Sequence, residues 1–460
     1  MYSAHYGDGT DAVVALVDWS HLLEDFLDSI GVSFAEFRDE MTGGWMFGYI
    51  EALRAAGIRT VLFCVSARVR VPESHVHRLT GATIRVLPAS RMYKAIRRRI
   101  LNPYAESVSE AAGEVRGIDR AFCAVLREMA PYAATPVLTF ARELQRFDCR
   151  AIICQDYEHA RFDWCVLIGR LLSLPVVGSF QGGDRSLGAL ERLLRPAAIR
   201  ACDGLIIASS RERERVRSRY RGSSDKTVRI FNPLNLSAWT GKPREEARAA
   251  LGIPRDALVA AWHGRVQMQI KGLDILLDAW ERLCRAKPDT DLRLLLLGTG
   301  NDATELGRSI ADRDLRGVHW INRYVRDQST IRDHLSAADV YVLSSRREGF
   351  PVAPIEGMAC GLPVVATDVS GIADILADGP ASGGCLVPRE NAAALADAIA
   401  RVFDDETYRA VLGERARARA LSAFSMDAVG KQLRAFLEDR GMTPDATGRS
   451  AGLQPRATHA

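Results

Sequence analysis

Short apolar runs alternate with amphipathic helical patterns along most of the chain. The runs in the first half are 12–17, 60–65, 83–87, 150–154, 176–179, 204–208 and 228–231. Those in the second half are 258–263, 292–297, 318–321, 340–343 and 363–366. Because short apolar strands separated by helices are typical of parallel sheets covered on both faces, the pattern predicts an α/β protein with doubly wound sheets.

A segment rich in turn residues separates the two series of runs. Residues 232–256 begin with Asn232-Pro233 and contain further Gly and Pro, which is typical of a linker. A final helix is expected after a break at Ser422–Ser425, and it would pack back on the amino-terminal domain. The predicted segments are an amino-terminal Rossmann-like domain (1–231), a linker (232–256), a carboxy-terminal Rossmann-like domain (257–421), the final helix (422–440) and a disordered tail (441–460).

Composition narrows the classes of function. The chain has 460 residues, 47% apolar and 26% charged, which is ordinary for a globular protein with two or three domains. A net charge of +4 is too small to indicate nucleic-acid binding, so no nucleic-acid partner is predicted. No run approaches the ~18 apolar residues of a membrane span, and the start does not resemble a signal peptide. Nine cysteines without metal-ligand spacing favour reduced thiols in the cytoplasm.

Two glutamates mark the most informative segment. Glu348 follows the apolar run 340–343 on a Gly-Phe-Pro loop, and Glu356 lies on the short helix after it. An ionised carboxylate only accepts hydrogen bonds, and a vicinal diol offers it two donors. One carboxylate against sugar hydroxyls and the other against a ribose diol would form a nucleotide-sugar site, in the cleft between the carboxyl edges of the two sheets.

Three motifs in register resemble one known family. They are HGRVQMQIKGLDILL (263–277), LRLLLLGTGND (292–302) and AADVYVLSSRREGFPVAPIEGMACGLPVVATD (337–368). The chain resembles the GT-B-fold glycosyltransferases of glycosyltransferase family 4, which are retaining and use nucleotide sugars. The resemblance is strong from about 258 to 388 and weaker in the first half. It implies the GT-B fold, with two doubly wound Rossmann-like domains facing a cleft.

The resemblance also implies roles for residues of the carboxy-terminal domain. Arg265 and Lys271 match the basic pair that neutralises the donor diphosphate. Glu348 matches the carboxylate at the transferred sugar, and Glu356 matches the ribose ligand. The catalytic residues would be Glu348, Arg265 and Lys271, and the donor would further contact the backbone of Gly349 and Phe350. Arg binds two phosphate oxygens and Lys acts as a point charge, which suits these roles.

The amino-terminal domain matches the family less closely. Gly43 and Gly44 match its glycine loop and are expected to open a helix, where backbone N–H groups favour phosphate. Asn232 matches the hinge segment. Gln181 stands where many members have a histidine, and Gln181 and His159 are the candidate contacts to acceptor or sugar. Pro351 replaces a common glycine and removes one N–H donor.

The basic segment RMYKAIRRRIL (91–101) has two interpretations. A basic amphipathic helix can lie on anionic lipid, which would place the protein peripherally at the inner face of the membrane. The commoner explanation, and the preferred one, is a solvated basic face on a helix that packs against the core.

These expectations combine into one function with two alternatives. The chain is predicted to be a hexosyltransferase-like enzyme that moves a sugar, with retention, from a nucleoside diphosphate sugar to a hydroxyl of a glycan, a glycolipid or a small molecule. No metal and no cofactor are expected to be required, because the pairs Asp289/Asp291 and Asp312/Asp314 are expected to lie away from the site. A GT-B sugar phosphorylase and a non-catalytic nucleotide-sugar-binding subunit of a partner transferase remain open.

Overall fold

The computed structural model describes residues 13–43, 46–105, 107–182, 187–220, 224–325 and 327–442. The strands of the first half are β1 (Val13–Val17), β2 (Arg59–Ser66), β3 (Glu73–Val76), β4 (Thr83–Pro88), β5 (Cys149–Cys154), β6 (Val176–Ser179), β7 (Gly204–Ile206) and β8 (Thr227–Val228). Those of the second half are β9 (Leu258–His263), β10 (Leu292–Leu297), β11 (Val318–Ile321), β12 (Val340–Leu343), β13 (Val364–Thr367) and β14 (Gly384–Val387).

Helices connect these strands. In the first half they are α1 (Leu23–Ser29), α2 (Phe34–Asp39), α3 (Phe47–Ala55), α4 (Arg91–Arg97), α5 (Val108–Ala112), α6 (Gly117–Ala133), α7 (Val137–Arg146), α8 (Ala160–Leu172), α9 (Ala189–Ala201) and α10 (Ser210–Arg219). In the second half they are α11 (Arg244–Leu251), α12 (Met268–Lys271), α13 (Leu273–Ala286), α14 (Ala303–Asp312), α15 (Gln328–Ala337), α16 (Ala353–Ala359), α17 (Ile372–Ile375), α18 (Ala392–Asp404), α19 (Glu406–Phe424) and α20 (Met426–Asp439).

The strands form two sheets, as the hydrophobic pattern predicts. The first has the order β3-β4-β2-β1-β5-β6-β7-β8, and the second has the order β11-β10-β9-β12-β13-β14. Every pairing is parallel except that of β3 with β4. The central strands β1 and β9 are buried because helices cover both faces of each sheet. The carboxyl ends of the parallel strands lie at one edge of each sheet, where loops such as 344–352 begin.

Several local predictions differ from the structure, and strand β14 was not among the predicted runs. The antiparallel edge strand β3 was not predicted, because its alternating burial over four residues gives only a weak apolar signal. The predicted strand 228–231 is shortened to β8, since Phe231 instead stacks on Phe350, with ring centroids 5.3 Å apart. The predicted break at Ser422–Ser425 is confined to Ser425, because α19 continues through Phe424 and Ser425 caps α20.

The final helix and the linker each pack against a domain. Val429 and Leu433 of α20 join the core of the amino-terminal domain, together with Met442 just after the helix. Within the linker, Arg248 of α11 donates a 2.7 Å hydrogen bond to buried Asp339 of the carboxy-terminal domain. The predicted disordered tail lies outside the described residues from 443 onward. In the described part of the chain, no helix has the length and apolar character needed to cross a membrane.

Gly272 fixes the geometry between α12 and α13. It adopts φ +59°, and a Cβ there would lie 2.0 Å from the carbonyl oxygen of Ser344. Gly252 adopts a similar φ of +67° at the end of α11, but a Cβ there would meet nothing within 4 Å. Substitution of Gly252 therefore measures the free-energy cost of a side chain on a left-handed backbone alone, and substitution of Gly272 measures that cost together with the cost of a steric clash.

We predict that Gly272→Ala destabilises the protein much more than Gly252→Ala. The Gly252 variant should lose only about 1–2 kcal/mol, the cost of a side chain in the left-handed region. The Gly272 variant should lose roughly 2 kcal/mol more, because the backbone of Ser344 must move. Equilibrium unfolding of the two variants gives the comparison, and equal losses would show that the close approach to Ser344 is relaxed without cost.

Candidate active site

Two loops at the carboxyl edge of the second sheet lie in backbone contact. One follows β9 (Gly264–Val266), and the other follows β10 (Gly298–Gly300). A Cβ at Gly298 would lie 1.9 Å from the carbonyl oxygen of Gly264, and a Cβ at Gly300 would lie 2.2 Å from that of Val266. Glycine is therefore required at both positions, because any side chain would separate the loops. The glycines of the LGTGND motif build one wall of the cleft.

A cavity of about 550 Å³ opens beside these loops. The second half of the chain contributes His263, Gly264, Arg265, Leu297 to Asn301, Tyr324, Val325 and Ile331, and the first half contributes Phe26, Ser29 to Gly31, Met41 and Thr42. A hydrogen bond of 2.8 Å from Gln328 Nε2 to Thr42 Oγ1 joins the two walls. The cavity therefore lies between the two domains, where the sequence predicts the cleft.

Among the described residues that line this cavity, Arg265 is the only Arg or Lys. Its side chain is exposed, and among the described residues it has neither a carboxylate partner nor a hydrogen bond. Although the side chain reaches solvent, the surrounding protein atoms displace part of the water around the guanidinium, which lowers the pKa of Arg265, and nearby Tyr324 opposes that shift. Arginine nevertheless stays protonated in proteins, so the cavity holds an uncompensated positive charge.

Lys271 and Glu348 form an ion pair at the same edge of the second sheet. Lys271 ends α12, which follows β9, and Glu348 lies in the loop after the neighbouring strand β12. Lys271 Nζ lies 2.7 Å from Glu348 Oε1, and Ser345 Oγ donates a 2.6 Å hydrogen bond to the same oxygen. Ser344 Oγ donates to the carbonyl oxygen of Lys271 at 2.9 Å. The Glu348 side chain is only 9% exposed. The pair is therefore held in one arrangement by the loop after β12 and by the turn at Gly272.

Glu356 is paired with a histidine that the sequence analysis did not single out. Glu356 Oε2 lies 2.6 Å from Nε2 of His263, the last residue of β9. Tyr341 packs edge-on against the His263 ring, with centroids 5.5 Å apart, and its hydroxyl donates to the His263 carbonyl oxygen. The sequence feature that could have indicated His263 is its position at the end of a strand, immediately before Gly264 and Arg265. The pairing leaves Glu356 Oε1 without a hydrogen bond to any described residue.

The loop after Glu348 touches the amino-terminal domain. A Cβ at Gly349 would lie 1.8 Å from the carbonyl oxygen of Gly182, so the two loops meet through backbone atoms. The Phe350 side chain is buried between Phe231 and Phe424. Only the backbone of Phe350 is therefore left for a ligand, as the resemblance implies.

The glycine loop of the amino-terminal domain is placed differently from the prediction. Gly43 lines a smaller cavity, of about 140 Å³, together with Glu356 and Tyr324. Gly44 lies outside the described residues. The prediction that the glycine pair opens the helix was wrong, because α3 begins at Phe47. The carbonyl oxygen of Gly43 instead accepts a 2.6 Å hydrogen bond from the N–H of Gly48 in the first turn of α3.

The two candidate acceptor contacts have partners in the amino-terminal domain and the hinge. Gln181 Oε1 accepts a 2.9 Å hydrogen bond from Asn232 Nδ2, and Gln181 Nε2 lies 3.3 Å from Asn232 Oδ1. This reciprocal amide pair ties the loop after β6 to the hinge segment. His159 packs against Trp19, with ring centroids 5.0 Å apart, and its Nε2 lies 4.0 Å from Asp156 Oδ2.

The two Asp-x-Asp pairs lie at the opposite edge of the second sheet. Asp289 and Asp291 precede β10, and Arg293 Nε donates to Asp291 at 2.6 Å. Asp312 ends α14 and Asp314 precedes β11. Over the described ranges, no group of three or more His, Cys, Asp or Glu side chains is arranged to hold a metal ion. All nine cysteines are free thiols, and six of them are buried.

Comparison with known proteins identifies the family that the carboxy-terminal domain matches. Residues 257–405 match the family model described as "Glycosyl transferases group 1". A D-inositol 3-phosphate glycosyltransferase of Saccharomonospora viridis is 35% identical over 225 residues, which cover 47% of this chain and 51% of the relative. The enzyme of the same name from Kineococcus radiotolerans is 33% identical over 236 residues, or 48% of this chain and 54% of that relative. The chain thus matches about half the length of these curated relatives.

Solved structures match over nearly the whole chain. Sucrose-phosphate synthase from Thermosynechococcus elongatus has a TM-score of 0.66 and 21% identity, covering 93% of this chain and 98% of that one. The Anabaena protein HepE in complex with UDP has a TM-score of 0.64 and 16% identity, covering 93% and 99%. At such identities these likenesses show the fold alone. The chain has the GT-B fold, and its carboxy-terminal domain belongs to the group 1 glycosyltransferases, which confirms the family 4 resemblance of its sequence.

Proposed function

We propose that this protein transfers a sugar from a nucleoside diphosphate sugar to an acceptor hydroxyl, with retention of the anomeric configuration. The observation that carries the proposal is the placement of two cations at one sheet edge. Arg265 is free in the interdomain cavity, and Lys271 is held against Glu348 at the neighbouring strand ends. A diphosphate would meet a charge that is already in place, so stabilising it requires little rearrangement.

The donor is proposed to lie across the carboxyl edge of the second sheet. The free oxygen of Glu356 would accept from the ribose diol while His263 fixes the orientation of the carboxylate. The diphosphate would lie near Arg265 and the glycine loops, and the sugar near Glu348 and the backbone of Gly349. The complexes of Anabaena HepE contain UDP or UDP-glucose, which supports a nucleotide sugar in this type of cleft.

The acceptor is proposed to enter from the amino-terminal side. Gly182 lies against Gly349, and Asp156 Oδ2 lies 2.8 Å from where a Cβ of Gly182 would be. Gln181 and His159 lie in the loops on this side and remain our candidates for acceptor or sugar contacts. The name of the relatives, D-inositol 3-phosphate glycosyltransferase, favours a small-molecule acceptor over a glycan or a glycolipid.

The proposed transfer needs no protein nucleophile. The acceptor hydroxyl would attack on the face from which the diphosphate departs, and the departing phosphate would receive its proton. The cations Arg265 and Lys271 would stabilise the negative charge that moves onto the diphosphate as the glycosidic bond breaks. Inorganic phosphate acting as acceptor would instead indicate a phosphorylase, and donor binding without turnover would favour a binding subunit.

The donor is tested with the purified protein and a panel of UDP-, GDP- and ADP-sugars. A donor at roughly 100 times its dissociation constant should stabilise the fold by about 2.7 kcal/mol, which a thermal shift detects. Product formation with each stabilising donor then measures turnover. If no nucleotide sugar raises the melting temperature, the proposed donor site is wrong.

We predict that Arg265→Ala and Lys271→Ala each lower turnover by ~10²–10³, the loss expected for one preorganised electrostatic group. Arg265→Lys should restore only part of the activity, because an ammonium cannot bind two phosphate oxygens in parallel. The matched control is Arg282→Ala, which removes an exposed cation from α13 of the same domain. Steady-state kinetics and the melting temperature without ligand are measured for each variant.

Two outcomes would contradict this assignment. Turnover like that of the Arg282 variant would show that the basic pair does not act on the diphosphate. An early melting transition that accounts for the lost activity would make the two side chains structural. The second outcome is expected least for Arg265, because no described residue pairs with it.

We predict that the two glutamates act at different stages. Glu356→Gln should weaken donor binding by roughly 10–100-fold, since it loses a charged acceptor that is used in both the ground and the transition state. Glu348→Gln should mainly lower kcat, because this carboxylate lies where the sugar becomes cationic. Glu246→Gln on the exposed face of α11 is the matched control. Comparable effects on kcat and donor KM in both variants would refute the division of roles.

We predict that activity persists in excess chelator. Arg265 and Lys271 supply the positive charge that a divalent ion would otherwise bring to the diphosphate. The measurement is the initial rate with EDTA, followed by addition of Mg²⁺ or Mn²⁺. Complete loss with EDTA and recovery with either ion would show that a metal neutralises the diphosphate and that the basic pair is misassigned.

A further inference from the structure

An apolar stripe runs along the outer face of α6. Its members are spaced four, three and four residues apart, and all are solvent-accessible: Ile118 is 89% exposed, Phe122 47%, Val125 55% and Met129 39%. Cys123 and Ala130 on another face of the same helix are buried in the amino-terminal core. The helix therefore already has its core contact, and the stripe is a second apolar face that no described residue covers fully.

The neighbouring helix α4 supplies positive charge. Residues 91–105 contain five Arg or Lys and no Asp or Glu. Ile96 and Ile100 are buried in the core, so the apolar side predicted from the sequence is used within the protein. Arg91, Arg98 and Arg99 are exposed. This helix behaves as the solvated basic helix that was preferred, and it cannot insert its own apolar side into lipid.

Contacts place the stripe and the basic face on one surface. The guanidinium carbon of Arg99 lies 5.5 Å from the centroid of the Phe122 ring, a cation–π contact between α6 and the segment that directly follows α4. The acidic side chains of α6, Asp119 and Glu128, are matched in number by Arg120 and Arg127. The excess positive charge of the surface therefore comes from α4, directly beside the exposed apolar stripe.

A large basic cavity opens at the other end of α4. Its volume is about 740 Å³, and its lining includes Arg70, Arg91 and Lys94 but no carboxylate from any described residue. Met92 and Leu138 line it as well, with 52% and 73% of their surfaces exposed. No ion pair of these three cations is found in the described ranges. Apolar side chains thus surround a group of cations that lack anionic partners.

We propose that this surface, formed by the α6 stripe, the basic face of α4 and the basic cavity, docks on an anionic lipid bilayer. Exposed apolar side chains enter the boundary between headgroups and acyl chains, and flanking cations contact lipid phosphates. Charge complementarity selects this occupant. A second copy of the chain placed on the stripe would bring two sets of unpartnered cations together, which is unfavourable. The proposal does not depend on the transfer reaction.

The test is co-sedimentation of the full chain with vesicles. One set consists of phosphatidylcholine alone, and in the other roughly one third of the lipid is phosphatidylglycerol. The protein should pellet with the anionic vesicles and stay in the supernatant with the neutral ones. Raising the salt concentration should weaken the association, because surface electrostatics are screened. Failure to pellet with anionic vesicles at low salt would overturn the proposal.

Two variants separate the apolar contribution from the electrostatic one. Ile118→Ser with Phe122→Ser removes half of the stripe, and Arg98→Gln with Arg99→Gln removes two cations. Each cation at an anionic surface changes the affinity by roughly fivefold, so the charge variant should bind at least about tenfold more weakly. The stripe variant should lose binding to a similar extent. Leu421→Ser on α19, which removes an exposed leucine from the other domain, should bind like the wild type.

Melting temperature and light scattering complete the test. All substituted positions are exposed, so the melting temperatures should match that of the wild type. Wild-type binding by both double variants would overturn the docking surface. A wild-type dimer that the stripe variant converts to a monomer would assign the stripe to a second copy of the chain instead of a membrane.

Discussion

The ion pair between Lys271 and Glu348 is the interaction on which the arrangement of the site depends. Its carboxylate is nearly buried, so each partner needs the other to offset the cost of leaving water. The backbone imposes the geometry: Gly272 lets the turn after Lys271 reach the Ser344 carbonyl, and Ser345 then orients the Glu348 oxygen. Lys271 and Glu348 satisfy each other, whereas Arg265 has no carboxylate partner among the residues that the structure describes.

The interface between the two domains determines where the amino-terminal domain lines the cleft. Backbone atoms of Gly182 and Gly349 meet directly, and the stacked rings of Phe231 and Phe350 fill the space on the hinge side. Polar links accompany this contact: Asp374 accepts a 2.8 Å hydrogen bond from the N–H of Ser210 at the start of α10, and Arg211 of the same helix donates a 2.6 Å hydrogen bond to Asp368. These rings belong to a larger apolar cluster with members from both domains, so apolar packing and hydrogen bonds together position the two loops. A ligand bound in the cleft would contact both domains and so add to the contacts between them.

Much of the fold was predictable because buried parallel strands appear in the sequence as continuous runs of apolar residues. The loops at the strand ends were predictable from glycine and charge patterns. The roles of Arg265, Lys271, Glu348 and Glu356 were implied by the resemblance to family 4 and stay predictions. The pairing of side chains from different strand ends could not be predicted. No feature of the sequence near His263 indicates that Glu356, 93 positions later, becomes its partner. The start of α3 was misplaced because glycines favour several turn geometries. The stripe on α6 was overlooked because sequence periodicity does not separate a core-facing stripe from an exposed one.

The two carboxylates of the candidate site are held in the same way. Each glutamate gives one oxygen to a nitrogen of its own domain, Glu348 to Lys271 and Glu356 to His263. A carboxylate fixed in this way repels an incoming diphosphate less than a free one would, yet it retains acceptor capacity for hydroxyl groups. The site therefore presents a positive charge at Arg265 and oriented acceptors at Glu348 and Glu356. This is the polarity that a molecule with a diphosphate between two polyhydroxyl groups requires, and it arises from the protein before any ligand is bound.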